Sequence, residues 1–145
     1  MKRLLLSLVL ALALTILLVY VPSALGRTPV AAPAGAVKAA DAYLLAMKQH
    51  NASGVCHLIS IVVYQANSSV DKGGKPLYAE CTKALSQPGT FADIKSFSRV
   101  GAGHVSGKVS SVDYLVVLKD GTKVKVALIL NLDPNGWKIA TIVSA

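Results

Sequence analysis

The stretch Tyr114–Thr141, YLVVLKDGTKVKVALILNLDPNGWKIAT, contains two turn signals that divide it into three β-strands. The first signal is Asp120–Gly121, and the second is Asp133–Gly136 with the sequence DPNG. Glycine tolerates the positive φ that tight turns require, and proline presets the backbone of the first turn position. The pattern therefore predicts an antiparallel meander near the end of the chain.

The first turn admits two registers, which place the lysines on different faces of the sheet. A two-residue loop would put Lys123 and Lys125 on the apolar face, whereas a three-residue loop, Lys119–Gly121, would pair Leu118 with Thr122. A slip of one residue moves every side chain to the opposite face, so the cleaner alternation favours the three-residue loop. The apolar face then comprises Val112, Tyr114, Val116, Leu118, Val124, Val126, Leu128 and Leu130.

The second turn extends this alternation if Leu132 pairs with Trp137. Ile139, Thr141 and Val143 are then expected on the same apolar face. The opposite face has lysines at its ends but is apolar in its centre, and large exposed apolar patches usually mark interfaces. We therefore expect an interface at the centre of this second face, which comprises Leu115, Val117, Ala127, Ile129, Ala140 and Ile142.

The first 26 residues predict an export segment. Two basic residues precede the apolar run Leu4–Val21, Pro22 ends the run, and small residues near Gly26 suit cleavage. The run is longer than a usual signal core and slightly shorter than a usual membrane span. Residues 1–26 are therefore either a signal peptide or a retained signal anchor, and the protein is expected outside the cytoplasm, secreted or anchored by a single span.

Residues 27–35 are rich in proline and alanine and predict a linker, which leaves residues 36–145 as one domain. Apolar residues recur at helical spacing in Ala36–His50, which predicts the first helix. Two further helices are predicted at Val55–Ala66 and near Tyr78–Ser86, although the β-branched run Ile61–Val63 weakens the helical pattern of the first and leaves that run ambiguous.

Strand segments follow the helices at Ile94–Val100 and from His104 onward, separated by glycines that suggest a turn or a bulge. The order is thus helices first and an antiparallel meander second. This order predicts an α+β fold, with N-terminal helices packed on a curved antiparallel sheet of about four strands.

Cys56 and Cys81 are the two cysteines of the chain. Two cysteines in an exported protein favour one disulfide, which would join the second and third predicted helices. The bridge would close a loop of about 26 residues and contribute roughly 3–4 kcal/mol; two unpaired buried thiols are the alternative. His57 adjoins Cys56, but neighbours on a helix do not face each other, so adjacency alone does not predict a catalytic pair.

The chain resembles the nuclear transport factor 2-like superfamily, whose members form a cone-shaped, cystatin-like α+β roll. It is most similar to small exported members common in actinobacteria, in which two cysteines occupy similar places in the helical region. The superfamily includes isomerases, dehydratases and carrier-type binders, so the resemblance implies a fold and leaves the activity open. The features that carry it are the helix Ala36–His50, the segments GVCHLIS and YAECTKAL, and the closing strands VDYLVVLKDGTKVKVALIL and NGWKIATI.

The resemblance implies that a catalytic member would place an acid, a histidine or a tyrosine inside the cone. Tyr114 is the one polar-capable residue at the centre of the predicted inner face, and its hydroxyl is interpreted as a hydrogen-bonding group at the rim. Asp41, Asp93 and Asp113 are expected on outer faces or in turns. No metal-ligand cluster, phosphate loop or nucleophile motif occurs in the sequence, so no catalytic residue, metal or cofactor is predicted. The weak pocket candidates are Tyr43, His57, Tyr64 and Tyr114.

The formal net charge of +8 comes mainly from lysines that are spread along the chain. Nucleic-acid binders cluster arginine and lysine and interleave aromatic rings, so nucleic acid is not an expected partner. The lysines are interpreted as solvated surface residues or as an attraction to an anionic envelope surface.

Three functions remain open at this point. The first is a non-catalytic exported domain that binds a protein partner or an apolar ligand and forms a homodimer through the second sheet face. The second is an isomerase or hydrolyase with its acid or base in the cone. The third is an accessory subunit of an envelope complex, anchored by the segment Leu4–Val21.

Overall fold

The computed structural model describes residues 29–144. The predicted signal peptide or anchor, residues 1–26, lies outside the described residues. Within the described range, no helix is long and apolar enough to cross a membrane. In chain order the elements are α1 (Ala34–Lys48), α2 (Ala52–Leu58), α3 (Ile61–Ala66), α4 (Tyr78–Leu85), β1 (Ile94–Ser106), β2 (Val109–Leu118), β3 (Lys123–Asp133) and β4 (Gly136–Ser144).

The four strands form one antiparallel meander in the order β1–β2–β3–β4. The backbone N–H of Leu118 donates to the carbonyl of Thr122 over 2.8 Å, so the predicted three-residue loop is confirmed. Gly121 has a φ of 89°, the left-handed conformation that this loop requires. Lys123 and Lys125 are exposed, and the predicted faces of β2 and β3 are therefore correct.

β4 contains a bulge at Ala140 that strict alternation did not predict. Leu132 pairs with Trp137 as expected, and the pairing continues as far as Ile139. Ala140 then has no partner in β3, and the ladder resumes at Thr141. Because one extra residue reverses the face of every later side chain, the predicted faces of the later β4 residues are wrong. Thr141 and Val143 oppose Ile129 and Ala127, whereas Ile142 opposes Leu128.

This bulge changes the composition of the apolar area on the second face of the sheet. Ile142 leaves it for the inner side, and Ala140 lies at the bulge itself. The described residues place no helix over this face, because α1 packs on the other one. We call the remaining apolar area the outer patch, and it comprises Leu115, Val117, Ala127, Ile129 and Val143.

The predicted helix Val55–Ala66 is in fact two helices, α2 and α3. Ile59 between them is extended and forms a bridge with Ile139 of β4. Ser60 donates its backbone N–H to the carbonyl of Ile139 over 2.8 Å. Its hydroxyl donates to Asp133 over 2.9 Å, and the same carboxylate accepts the first backbone N–H of α3 over 2.8 Å. These bonds to the β3–β4 hairpin hold the break in place and cap α3.

The core lies between α1 and the inner face of the sheet. α1 presents a stripe of buried residues at helical spacing, which includes Ala40, Tyr43 and Leu44. Burying a large apolar side chain contributes about 1.5–3 kcal/mol, so this packing holds α1 across the sheet. The strands supply Ile94, Val112, Tyr114, Val116, Leu128, Leu130 and Ile139.

Cys56 of α2 and Cys81 of α4 form a disulfide with their Cα atoms 6.0 Å apart, as predicted. Among the described elements α4 packs mainly on α2, and none of its residues is fully buried. Tyr78 of α4 also stacks on His57 of α2, with ring centroids 4.1 Å apart. The disulfide and this stacked pair therefore join α4 to α2, and Leu85 of α4 packs against the margin of the core.

β1 is one strand interrupted by a glycine bulge, where two separate segments were expected. Its register against β2 shifts between Val100 and His104. Gly103 has a φ of 64°, and a Cβ placed there would lie 2.4 Å from the carbonyl oxygen of Ser111. Glycine is therefore required at this close approach of two strands.

The segment that was predicted as a linker contributes to the edge of the sheet. Val30 forms an antiparallel bridge with Val105, and the N–H of Ala32 donates to the carbonyl of Ala102 over 3.2 Å. α1 then begins at Ala34, two residues before the predicted start. The chain thus enters the helical layer directly from the open edge of β1.

Candidate functional site

A groove of about 620 Å³ opens between α1 and the inner side of β1 and β2. α1 buries one stripe in the core, and its neighbouring face is left unpacked beside the edge strand. Positions three and four residues apart share a face of a helix, and the α1 residues of the groove have this spacing. The lining residues are Lys38, Asp41, Ala42 and Leu45 from α1, Phe97, Ser98 and Arg99 from β1, and Tyr114 from β2.

Tyr114 reaches the groove from the core. Its hydroxyl donates to the Asp41 carboxylate over 2.5 Å. Tyr114 is only 1% exposed, whereas Asp41 is exposed on α1. Burial, followed by the hydrogen bond and the negative charge of Asp41, raises the pKa of Tyr114, and the positive charge of Arg99 partly opposes this shift. The phenol therefore stays protonated at neutral pH and acts as a hydrogen-bond donor.

The walls of the groove combine apolar surface with positive charge. Leu45 is 46% exposed, and the half-buried Phe97 packs edge-on against Tyr114 with ring centroids 6.1 Å apart. Lys38 and Arg99 are exposed, and the salt bridges found within residues 29–144 involve neither of them. The groove thus offers an apolar surface beside two cations whose charges are not paired by the described residues.

The other three pocket candidates do not line this groove. Tyr43 of α1 is buried in the core, and burial raises its pKa to about 12. Tyr64 donates its hydroxyl to the carbonyl of Cys56 over 2.7 Å, and burial, with a smaller contribution from Tyr78, raises its pKa to about 12. The Nδ1 atom of His57 lies 2.8 Å from the carbonyl oxygen of Ser53 within α2. Tyr64 and His57 thus support the helices around the disulfide.

The aspartates are also dispersed. Asp93 contacts His50 and Lys119, with N···O distances of 3.6 Å and 3.2 Å. Asp113 pairs with Ala127 on the outer side of the sheet. Asp41 is the acidic residue that sequence reasoning placed away from the groove and that the structure places in it. One sequence signal could have indicated this position: Asp41 lies four residues before Leu45, on the same helix face and at the margin of the buried stripe.

No group of three or more histidine, cysteine, aspartate or glutamate side chains that could hold a metal ion occurs in the part of the chain that the structure describes. A second, smaller groove of about 280 Å³ lies around His50, Leu85 and Phe91. His50 stacks on Phe91 there, with ring centroids 5.3 Å apart. This groove lies beyond the C-terminal end of α1 and is separate from Tyr114 and Asp41.

No protein-family model and no curated protein matches the sequence. Two solved structures show what it is similar to. One is a candidate nuclear transport factor 2-like transpeptidase of Campylobacter jejuni, with 9% identity, a TM-score of 0.50, and coverage of 72% of this chain and 95% of that chain. The other is a nuclear transport factor 2-like protein of unknown function from Shewanella baltica, with 12% identity, a TM-score of 0.48, and coverage of 77% and 90%.

At these identities the likeness is informative about the fold alone. The chain has the nuclear transport factor 2-like α+β fold, in which N-terminal helices pack on a four-stranded antiparallel sheet. The fold implied by the resemblance is thereby confirmed. The narrower resemblance to small exported actinobacterial members stays a prediction.

Proposed function

We propose that this protein is a non-catalytic binding domain whose groove between α1 and β1 holds an amphipathic ligand that carries a negative charge. The observation that carries the proposal is the composition of the groove. Leu45 and Phe97 offer apolar surface, and Lys38 and Arg99 offer positive charge without an ion pair among the described residues. Asp41, the acid in the groove, is already engaged by the hydroxyl of Tyr114.

The expected affinity for a small ligand is modest. Burying an aromatic ring against Leu45 and Phe97 contributes about 2–3 kcal/mol. Exposed ion pairs with Lys38 and Arg99 contribute less than about 1 kcal/mol each. The sum is below about 4–5 kcal/mol, which corresponds to a dissociation constant on the order of 1 mM.

Titration calorimetry with two matched ligands tests this proposal. The full-length chain in a mild detergent is titrated with phenylbutyrate and with phenylbutylamine, which share an apolar part and differ in the sign of their charge. We expect the carboxylate to bind and the amine to bind at least several-fold more weakly. Arg99→Ala should weaken carboxylate binding, and Lys72→Ala, in the exposed loop before α4, is the control. Equal binding of both ligands, or no effect of Arg99→Ala, would contradict the proposal.

The alternative function, an isomerase or hydrolyase, would use Asp41 as its base. The carboxylate is exposed and already accepts a hydrogen bond from Tyr114. Catalytic bases are commonly tuned by burial in a closed site. The geometry of the groove therefore favours binding over proton transfer.

A second proposed property is self-association through the outer patch, and it is supported by the uncovered apolar surface on that face. The bulge at Ala140 brings Val143 beside Ala127 and so extends the patch across β2, β3 and β4. Two copies that bury this patch against each other would remove it from water, which is favourable in proportion to the apolar area.

We also propose that the domain functions outside the cytoplasm. The basic and apolar start of the sequence and the disulfide between Cys56 and Cys81 support this location. Retention of the segment Leu4–Val21 would favour an anchored accessory subunit of an envelope complex, whereas its removal would favour a secreted binder. Sequencing the N-terminus of the protein isolated from its source distinguishes the two.

A further inference from the structure

The edge of β1 is divided into two parts by the glycine bulge. Val30 pairs with Val105 after the bulge, and Ala32 donates its N–H to the carbonyl of Ala102 within the bulge. The part before the bulge, Ser96–Val100, pairs with β2 in a regular register. Within residues 29–144 it has no strand on its other side, because β1 is the first strand of the sheet. This leaves a regular stretch of open backbone groups beside the groove.

The open edge and the groove are parts of one surface. Phe97 and Arg99 oppose Val116 and Tyr114, which places them on the inner side of the sheet, where they line the groove. A strand added at this edge would continue the alternation of the sheet, so every second side chain would lie over the groove. An apolar side chain could then contact Leu45, and an acidic one could approach Arg99.

We propose that the Ser96–Val100 edge and the groove together bind an extended acidic peptide by β-strand addition. This inference rests on the proposed function, because it names the ligand class of the same groove. Main-chain hydrogen bonds to an exposed edge supply affinity in this mode, and alternate side chains supply specificity. The open edge spans about 17 Å at the usual rise per residue, which suits a peptide of about five to seven residues.

The charges of the groove select the acidic peptide over a second copy of this chain. Lys38 and Arg99 lie on the two sides of the groove and have no ion pair among the described residues. They outnumber the one lining carboxylate, Asp41, which accepts the Tyr114 hydroxyl. Two copies joined edge to edge at β1 would bring these cations towards the cations of the partner. A peptide with glutamate over the groove would instead complement them.

Fluorescence anisotropy with a labelled heptapeptide tests the inference. The peptide alternates threonine with leucine or glutamate, and its control has lysine in place of each glutamate. We expect the acidic peptide to bind the full-length chain at least tenfold more tightly than the basic one. Arg99→Glu should weaken binding of the acidic peptide at least tenfold, and Lys72→Glu should change it less than twofold.

Methylation of the peptide backbone separates strand addition from simple charge attraction. Only alternate N–H groups of an added strand point towards its partner. N-methylation of one alternate set of peptide residues should therefore abolish binding, and methylation of the other set should be tolerated. Equal effects of both methylated sets would overturn the inference.

The comparison with phenylbutyrate separates this inference from the proposed function. If the full-length chain binds phenylbutyrate but not the acidic peptide, strand addition is wrong and the groove remains a binding site. If it binds neither, both proposals are wrong. Peptide binding that is unchanged by Arg99→Glu would likewise overturn the inference.

Discussion

At the scale of single residues, Tyr114 links the core of the domain to its groove. Its ring packs among fully buried side chains, and its hydroxyl emerges beside α1 to meet Asp41. The position of α1 over the sheet is thus fixed by one directional bond in addition to apolar packing. A change at this residue is expected to affect both stability and the shape of the groove.

Tyr114→Phe removes this bond while keeping the ring. The substitution leaves no buried polar group without a partner, since Asp41 is exposed to water. We expect the free energy of unfolding to fall by about 1 kcal/mol, measured by urea denaturation. Tyr78→Phe is the matched control because it keeps its ring contact with His57. An unchanged stability of Tyr114→Phe would show that the bond contributes nothing to folding.

The buried tyrosines also predict how stability depends on pH. Burial raises the pKa of Tyr43 to about 12, and burial together with Asp41 raises the pKa of Tyr114. A tyrosine whose pKa is higher in the folded state stabilises the fold fully below its unfolded value of about 10, and this contribution is lost as the pH rises through the folded value. The free energy of unfolding should therefore fall above about pH 10.

Urea denaturation at several pH values between about 8 and 11 measures this fall. The variant Tyr114→Phe should lose stability with rising pH less steeply than the native chain, because it lacks one of the tyrosines whose pKa is raised by folding. Parallel slopes for the two proteins would contradict the contribution of Tyr114. Comparison with the variant also removes the effect of lysine titration, which is common to both.

Tyr114 and Asp41 illustrate how far the sequence leads at this scale. Alternation along β2 correctly predicted that Tyr114 lies on the inner face of the sheet. Its partner was not predictable, because the partner depends on the place where α1 crosses the sheet. That crossing is set by the packing of many side chains, and no local pattern encodes it.

At the scale of elements, the two largest departures from the sequence predictions meet at Ile139. The break between α2 and α3 docks there, and the bulge of β4 begins at the next residue, Ala140. The β-branched run Ile61–Val63 weakens the helical pattern without locating the break, and the alternation of β4 looks continuous when that strand is considered alone. The hydrogen bond from Ser60 to Ile139 joins parts of the chain that are far apart in sequence, and this interaction lies outside the reach of local pattern analysis.

The attachment of α4 gives the prediction for this scale. Cys56→Ala combined with Cys81→Ala should lower the free energy of unfolding by roughly 3–4 kcal/mol. The double substitution removes the cross-link that restricts the conformational entropy of the unfolded chain. The backbone amides of α4 should lose protection from hydrogen exchange, while those of β2 and β3 keep theirs under native conditions.

Reduction of the native protein is the control, because it should reproduce the behaviour of the double variant. Denaturant titration and hydrogen exchange measured by mass spectrometry provide the two readouts. Unchanged protection of α4 after removal of the disulfide would show that contacts with α2 hold this helix without the bridge.

At the scale of the whole molecule, the sheet has one face covered by α1 and one that carries the outer patch. The general arrangement of helices and strands followed from element order and from two turn signals. The position of the groove did not follow from these signals, because it depends on where α1 lies over β1 and β2. The fold was therefore predictable, and the position of its candidate site was not.

Self-association is the prediction at this scale. Ile129→Lys places a charge in the outer patch and should shift the full-length chain from dimer to monomer in sedimentation velocity experiments. Ile129 is only half-buried, so the fold should tolerate the lysine. Ala79→Lys, on the exposed side of α4, is the matched control. A native chain that is monomeric, or a variant that still dimerises, would contradict a role for the outer patch.

The sulfur bridge joins two helices and leaves every strand untouched, which has a consequence for the order of assembly. The meander and α1 can form while both thiols are still reduced, because the buried residues of the core between them include none from α4, whose Leu85 packs at the margin. Formation of the disulfide then attaches α4 to a domain whose sheet and first helix have already folded. A chain arriving in an oxidising compartment would thus need no isomerase to choose between pairings, since it brings one pair of cysteines and a fold that already holds the first of them in place.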